Sequence, residues 1–355
     1  MEPGTPADDA ARGAAPAAAV DEEEALRRAL AASLAEQADA DADADLQKAL
    51  EASRGDEDAQ VREAVRASTM PEDLDALTDQ ERDAMTVAQL NGILEDSKAA
   101  PMVSEKLGVS AALGAEYADN PQRGFATSIR RLDGAYASLR RVRKDGNCFY
   151  RGFLYRYLEE LLVAQLSHEV ACGAASACPE LARIRAVVRG SKAALLEVGY
   201  EEVVVDDFWE TLVGVLDRLP TTTPAALHRA MNEEQGDVLS LVWYMRLLAA
   251  GRIKADPDRF APFVMDDNGV ADVHDFCRRE VEPVSVECDQ VQIIALTEML
   301  GVPVAIEYLD ASGEPSKFVC PDGAEPHVTL LYRPGHYDVL YEGAPAAASP
   351  VAAAA

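Results

Sequence analysis

Residues 144–166 read KDGNCFYRGFLYRYLEELLVAQL, and fold and chemistry both turn on this stretch. Asp145-Gly146 is a strong turn pair and Asn147 tolerates unusual backbone angles, so the chain bends here. The run that follows is apolar and rich in leucine and aromatic residues, with the length and pattern of a buried helix. Cys148 then falls in that helix's first turn. A helix N-terminus favours an anion, and the nucleophile is the thiolate, not the thiol with its ordinary pKa of about 8.5. The residues just before Cys148 can aim backbone N–H groups at a developing oxyanion, and Gly146 permits close backbone approach. A nucleophilic cysteine also needs a histidine, itself oriented by a third group.

The chain has five histidines: His168, His228, His274, His327 and His336. His336 stands in YRPGHYDVLY, just past Pro334-Gly335 and at the start of a strand-like run. Residues i and i+2 of a strand share a face, which places Asp338 beside His336. The carboxylate can hold one ring nitrogen while the other is presented to Cys148. His327 has no such neighbour, and His274 has Asp275 only at the next position of a helical context. On the residues alone, a solvated turn histidine stays open as the alternative for His336.

Around these two strings the composition is lopsided. No Phe, Trp or Tyr precedes Tyr117, and residues 1–100 hold 25 acidic against 9 basic residues. Such an Ala-rich, acidic segment cannot bury enough surface to offset chain entropy. Residues 1–90 are expected to form a disordered acidic arm, 91–343 one globular domain, and 344–355 a disordered Ala/Pro tail. Within the domain, GFATSIRRLDGAYASLRRV, SKAALLEVGY, VDDFWETLVGVLDRL, VLSLVWYMRLLAAGRI and CDQVQIIALTEMLG read as helices. VPVAIEYLD, HVTLLYRP and YDVLYEG read as strands, the last two joined as a hairpin through Pro334-Gly335. The expected class is α+β, with helices packed around a small sheet built mainly near the C-terminus.

A net charge of −29 and a pI near 4.5 argue against nucleic acid and anionic membranes and for a basic protein partner. No apolar stretch approaches the ~20 residues of a spanning helix, and the N-terminus lacks the basic start and apolar core of a secretory signal. The six cysteines show no CxxC pair and are expected to be reduced thiols of a cytoplasmic or nuclear protein. His168, Cys172 and Cys178 fit no zinc spacing. No metal or cofactor is expected, and the protein is expected to be a monomer.

The arm repeats one pattern three times, at 22–36, 41–57 and 56–72. After an acidic run come Leu26, Ala29, Leu30 and Ser33; Leu46, Ala49, Leu50 and Ser53; then Val61, Ala64, Val65 and Ser68. Offsets of 0, 3, 4 and 7 place each set on one helical stripe. Two readings stand: low-complexity sequence with nascent helices, or single-helix elements that lay a narrow apolar stripe on a partner. The pattern resembles the ubiquitin-interacting motif, an acidic run followed by L-x-x-A-L-x-x-S.

DGNCFYR together with LLYRPGHYDVLY resembles the otubains, a branch of the ovarian-tumour (OTU) class of cysteine deubiquitinases. The likeness runs over residues 92–342 and includes PMVSEKLGVSAALGAEYA, EEVVVDDFWETL, VHDFCRREVEPV and IIALTEMLGVPVAIEYLD. It implies the OTU fold with a papain-like mechanism over 91–343, free of metal. By position, Cys148 is then the nucleophile, His336 the general base and acid, and Asp338 the group orienting it. Asp145 is the acidic residue of the oxyanion loop, its backbone mattering more than its charge. Ubiquitin and polyubiquitin become the expected partners, recruited by the arm. The chain departs from the family at Lys144, where proline is expected, at Gly152, where alanine is usual, and across ECDQVQ (287–292). A second reading is a binding protein for ubiquitin or a ubiquitin-conjugating enzyme that inhibits chain synthesis. A third is a cysteine protease or acyltransferase with another substrate, which the arm motifs disfavour.

Overall fold

The computed structural model describes residues 99–173, 177–264, 272–313 and 316–343; the three arm stretches and the 344–355 tail lie outside the described residues. A short helix, Val109–Leu113, leads into α1 (Arg123–Ala135), β1 (Tyr136–Arg140), α2 (Cys148–Cys172), α3 (Pro179–Glu197), α4 (Glu202–Arg218) and α5 (Val238–Ala255). A one-turn helix, Val273–Phe276, continues as a π-turn over Cys277–Val281. Then come α6 (Gln290–Leu300), β2 (Val304–Tyr308), β3 (Lys317–Cys320), β4 (Val328–Arg333) and β5 (His336–Glu342).

The five strands form one mixed sheet in the order β1-β5-β4-β2-β3. Only β2 and β4 pair in parallel; the other neighbours are antiparallel. Parity along β4 and β5 divides the core. Leu330, Val339, Tyr337 and Tyr341 belong to the larger cluster, which takes in α2, α5 and α6. Leu331 and Leu340 join Val109, Leu113, Ile129 and Leu132 in a smaller cluster under α1. Helix α2 is the central piece, with Phe149, Phe153, Leu158 and Leu162 all buried. Each such side chain contributes about 1.5–3 kcal/mol by leaving water, which fixes the helix and the cysteine at its head.

Two expectations need correcting. The run GFATSIRRLDGAYASLRRV is not one helix: α1 ends at Ala135 and Tyr136 opens β1. Pairing of residues 136–140 with β5, and the flanking bridges Val103↔Val142 and Leu107↔Leu139, override the helical pattern. Strand β3 was not anticipated; it is a four-residue edge strand, too short to carry a periodic signal.

Candidate active site

Cys148 is the first residue of α2, after Asn147 at φ −112° and ψ 6°. Gly146 has φ +73°, a left-handed conformation that suits glycine. A Cβ there would lie 2.3 Å from the carbonyl carbon and oxygen of Ser285, and Ser285 itself has φ +64°. The turn is held from three sides. Asp145 Oδ1 accepts from the Asn147 amide at 3.1 Å and from Arg151 Nη1 at 2.9 Å, and its Oδ2 accepts from Arg151 Nη2 at 2.6 Å. Asn147 Oδ1 accepts from the Ser285 amide at 3.0 Å. Arg246 of α5 is fully buried and reaches the Gly146 carbonyl at 2.7 Å, Asn147 Oδ1 at 2.9 Å, and the carbonyls of Val286 and Val281 at 2.6 and 3.0 Å. The amides of Gly146 and Cys148 have no acceptor among the described residues. The carboxylate of Asp145 also ties the turn to Arg151.

On the hairpin, the turn at Pro334-Gly335 makes Arg333 and His336 direct cross-strand partners. Asp338, two residues on, shares their face. His336 Nε2 donates to Asp338 Oδ1 at 2.8 Å, and His336 Nδ1 has no hydrogen-bond partner among the described residues. Asp338 is wholly buried, yet its pKa is held down to about 2. Burial alone would raise it, and the hydrogen bond and charge of His336, the Arg333 guanidinium and the Val142 amide outweigh that. Burial lowers the pKa of His336 against the upward pull of Asp338, leaving the ring neutral.

The Cys148 thiol lies against the backbone amides of Tyr337 and Phe149. Burial, helped by the carboxylates of Asp145 and Asp338, pushes its pKa up to about 12. No hydrogen bond joins Cys148 to His336 among the described residues. Burial thus favours the thiol over the thiolate that a helix N-terminus and a histidine would favour. Desolvation of a side chain only 5% exposed outweighs the two backbone amides that favour the anion. Beside Cys148 opens a cleft of about 90 Å³, walled by Tyr308, Tyr332 and Tyr337 and edged by Glu287 and Asp289.

Cys288 also lines this cleft, whereas His327 and His228 are engaged elsewhere. His327 Nδ1 pairs with Glu160 at 2.6 Å, and His228 contacts the carbonyls of Val103 and Ser104. Among the described residues no three of His, Cys, Asp and Glu are grouped so as to hold a metal ion. Sequence reasoning missed Arg246, Arg333 and Arg151. Arg246 had a signal, as a lone charge within the apolar run VLSLVWYMRLL.

The family model for peptidase C65, otubain, matches residues 95–342, and that for the ubiquitin interaction motif matches 21–37 and 41–58. Ubiquitin thioesterase OTUB1 of Rattus norvegicus is 37% identical over 244 residues, covering 68% of this chain and 83% of that protein. An ovarian tumor domain-containing deubiquitinating enzyme of Arabidopsis thaliana is 32% identical over 269 residues, covering 70% and 83%. Among solved structures, a ceOTUB1 complex with ubiquitin aldehyde and UBC13~Ub superposes with a TM-score of 0.63 at 29% identity, covering 72% of this chain and 99% of that one. With the DGNC turn, the His-Asp hairpin and the mixed sheet in place, the chain belongs to the otubain family of cysteine peptidases, on the OTU α+β fold.

Proposed function

We propose that the chain hydrolyses the bond between the C-terminus of ubiquitin and a lysine, using Cys148 as nucleophile, His336 as base and then acid, and Asp338 to orient the ring. The observation that carries this is the buried His336 Nδ1, free of any partner among the described residues, on a strand whose next amide faces the Cys148 thiol. At rest both groups are neutral, so proton transfer accompanies attack. The thiol proton passes to Nδ1 as Sγ bonds the carbonyl carbon. The oxyanion is received by the free amides of Gly146 and Cys148. The intermediate collapses, the C–N bond breaks, and the imidazolium gives its proton to the leaving amine. Water, deprotonated by His336, then splits the thioester, releasing ubiquitin's carboxylate and restoring the thiol. The narrow tyrosine-walled cleft suits a backbone bearing no side chains, as in the two glycines that end ubiquitin.

The stripes of the arm bind ubiquitin units and raise the local concentration of a chain at the cleft. The first two lie within the residues matched by the motif model, while Val61, Ala64, Val65 and Ser68 rest on spacing alone. The protein acts as a monomer. Its six free cysteines suit a reducing compartment, cytoplasm or nucleus.

The likeness to solved complexes with ubiquitin aldehyde and a ubiquitin-charged conjugating enzyme favours a second reading, in which the domain chiefly holds ubiquitin and such an enzyme. Ubiquitin carrying a thiol-reactive group at its C-terminus separates the two. A covalent adduct on wild type, absent from Cys148→Ala and much slower on His336→Ala, supports hydrolysis. Tight binding with no adduct supports the second reading and refutes the first.

A further inference from the structure

A wholly buried carboxylate stays ionised only where partners replace water. Asp338 has three: His336 Nε2 at 2.8 Å and the Val142 amide at 2.9 Å on Oδ1, and Arg333 Nη2 at 2.6 Å on Oδ2. Of these donors Arg333 alone carries a charge independent of pH. It is 3% exposed, and its other arm, Nη1, donates to Glu116 Oε1 at 2.7 Å. Glu116 lies in the turn after Val109–Leu113. Its Oε2 takes Arg141 Nη1 at 2.6 Å, and Lys144 Nζ stands 3.8 Å from its Oε1. One carboxylate therefore ties the end of β4 to the residues that lead into the DGNC turn.

We propose that Glu116 and Arg333 form a positioning clamp: Arg333 fixes the carboxylate of Asp338, and through it the His336 ring, while Glu116 holds Arg333 in register with the loop that presents Cys148. The clamp rests on the hydrolytic reading of Cys148, His336 and Asp338. Neither Glu116 nor Arg333 touches the substrate; both act through Asp338.

The charges around the dyad give the clamp a pH signature. Asp338 faces His336 on β5, Arg333 on β4, the Val142 amide, Lys144 in the loop and Cys148 on α2. His336 faces Asp338, Arg333 and Lys144. Arg333 holds both Asp338 and His336 below where they would otherwise titrate. Without it both rise. His336 then becomes protonated at a higher pH, where it can no longer take the thiol proton, and the acid limb of the rate profile moves up.

The test uses the full chain and ubiquitin bearing a fluorogenic C-terminal amide, with kcat and KM measured from acid to neutral pH. Arg333→Met should lose more than about tenfold in kcat, with KM within about twofold and the acid limb displaced upward. Arg333→Lys should keep the limb near wild type, and Glu116→Gln should displace it in the same sense by less. If Arg333→Met does not fold, the partly exposed Glu116 still carries the test. A purely structural role would lower stability and leave the limb in place, so unmoved limbs in the folded variants overturn the clamp. The thiol-reactive ubiquitin keeps the two ideas apart. Failure to label Cys148 in wild type sinks the hydrolytic reading, whereas labelling with unmoved limbs sinks the clamp alone.

Discussion

Replacing Gly152 by alanine should make the protein more stable. Gly152 lies one turn after Cys148 in α2. A Cβ there would stand 3.4 Å from Val142 Cγ2, 3.4 Å from Val339 Cγ2 and 3.6 Å from Leu330 Cδ2. These are ordinary contact distances, so the methyl fills space between helix and sheet. Alanine exceeds glycine in a helix interior by about 1 kcal/mol, and a buried methyl adds up to about 0.8 kcal/mol. Crowding of the two valines offsets a few tenths of a kcal/mol, roughly. The net expectation is about 1 kcal/mol of stabilisation, or about 2–4 °C in Tm for a domain of this size. Gly124 of α1 is the contrast, because its Cβ would fall 1.6 Å from the Ala311 carbonyl oxygen. Backbone must move there, and Gly124→Ala should cost about 1–3 kcal/mol or more. Thermal and urea unfolding of both variants decides the matter. A Gly152→Ala protein that melts at or below wild type, or two variants that shift in the same direction, would refute this account of how α2 meets the sheet.

Three further outcomes bear on function. Gly146→Ala should lower kcat about 100-fold, since a methyl against the Ser285 backbone displaces the turn that aims the amides; activity within tenfold of wild type would show that the turn does not set the oxyanion site. With its thiol pushed up to about 12, Cys148 of the free protein should be alkylated by iodoacetamide at a rate that climbs steadily through neutral and mildly alkaline pH. A plateau near neutrality, read by mass on that cysteine, would reveal a resting thiolate. Deleting residues 1–75 should leave di-ubiquitin cleavage nearly unchanged and slow the processing of long chains; equal rates on long chains would remove the recruiting role from the arm.

What could be read in the sequence was local. Turn, helix and cysteine fall within a dozen residues, and His336 and Asp338 are two apart on one strand. Arg333 was within reach, because a two-residue turn at Pro334-Gly335 makes it the cross-strand partner of His336. Arg246 showed only as a lone charge in an apolar run, its partners hidden 100 residues away at Gly146, and Glu116 gave no sign of its contact 217 residues on with Arg333. The burial of the thiol was hidden for a related reason. Helix terminus and histidine are visible in a string of letters, whereas the burial that raises the thiol's pKa exists only after the chain has closed around Cys148. Strand β1 was lost the same way, its conformation being set by β5, some 200 positions downstream.

The long-range contacts also explain why so much charge is buried beside one cysteine. An oxyanion site needs amides aimed before the substrate arrives, and the left-handed Ser285 packed against Gly146 stores strain. The Gly146–Asn147 peptide is held at both ends: Arg246 takes its carbonyl, and Asp145, itself clamped by Arg151, takes its amide. With that plane fixed, the amides on either side, Gly146 and Cys148, are left without acceptors among the described residues. Across the cleft Arg333 does the equivalent for Asp338 and hence for His336. Each buried arginine thus fixes one bond vector of the site, which a neutral donor with a single N–H could not do from the same distance.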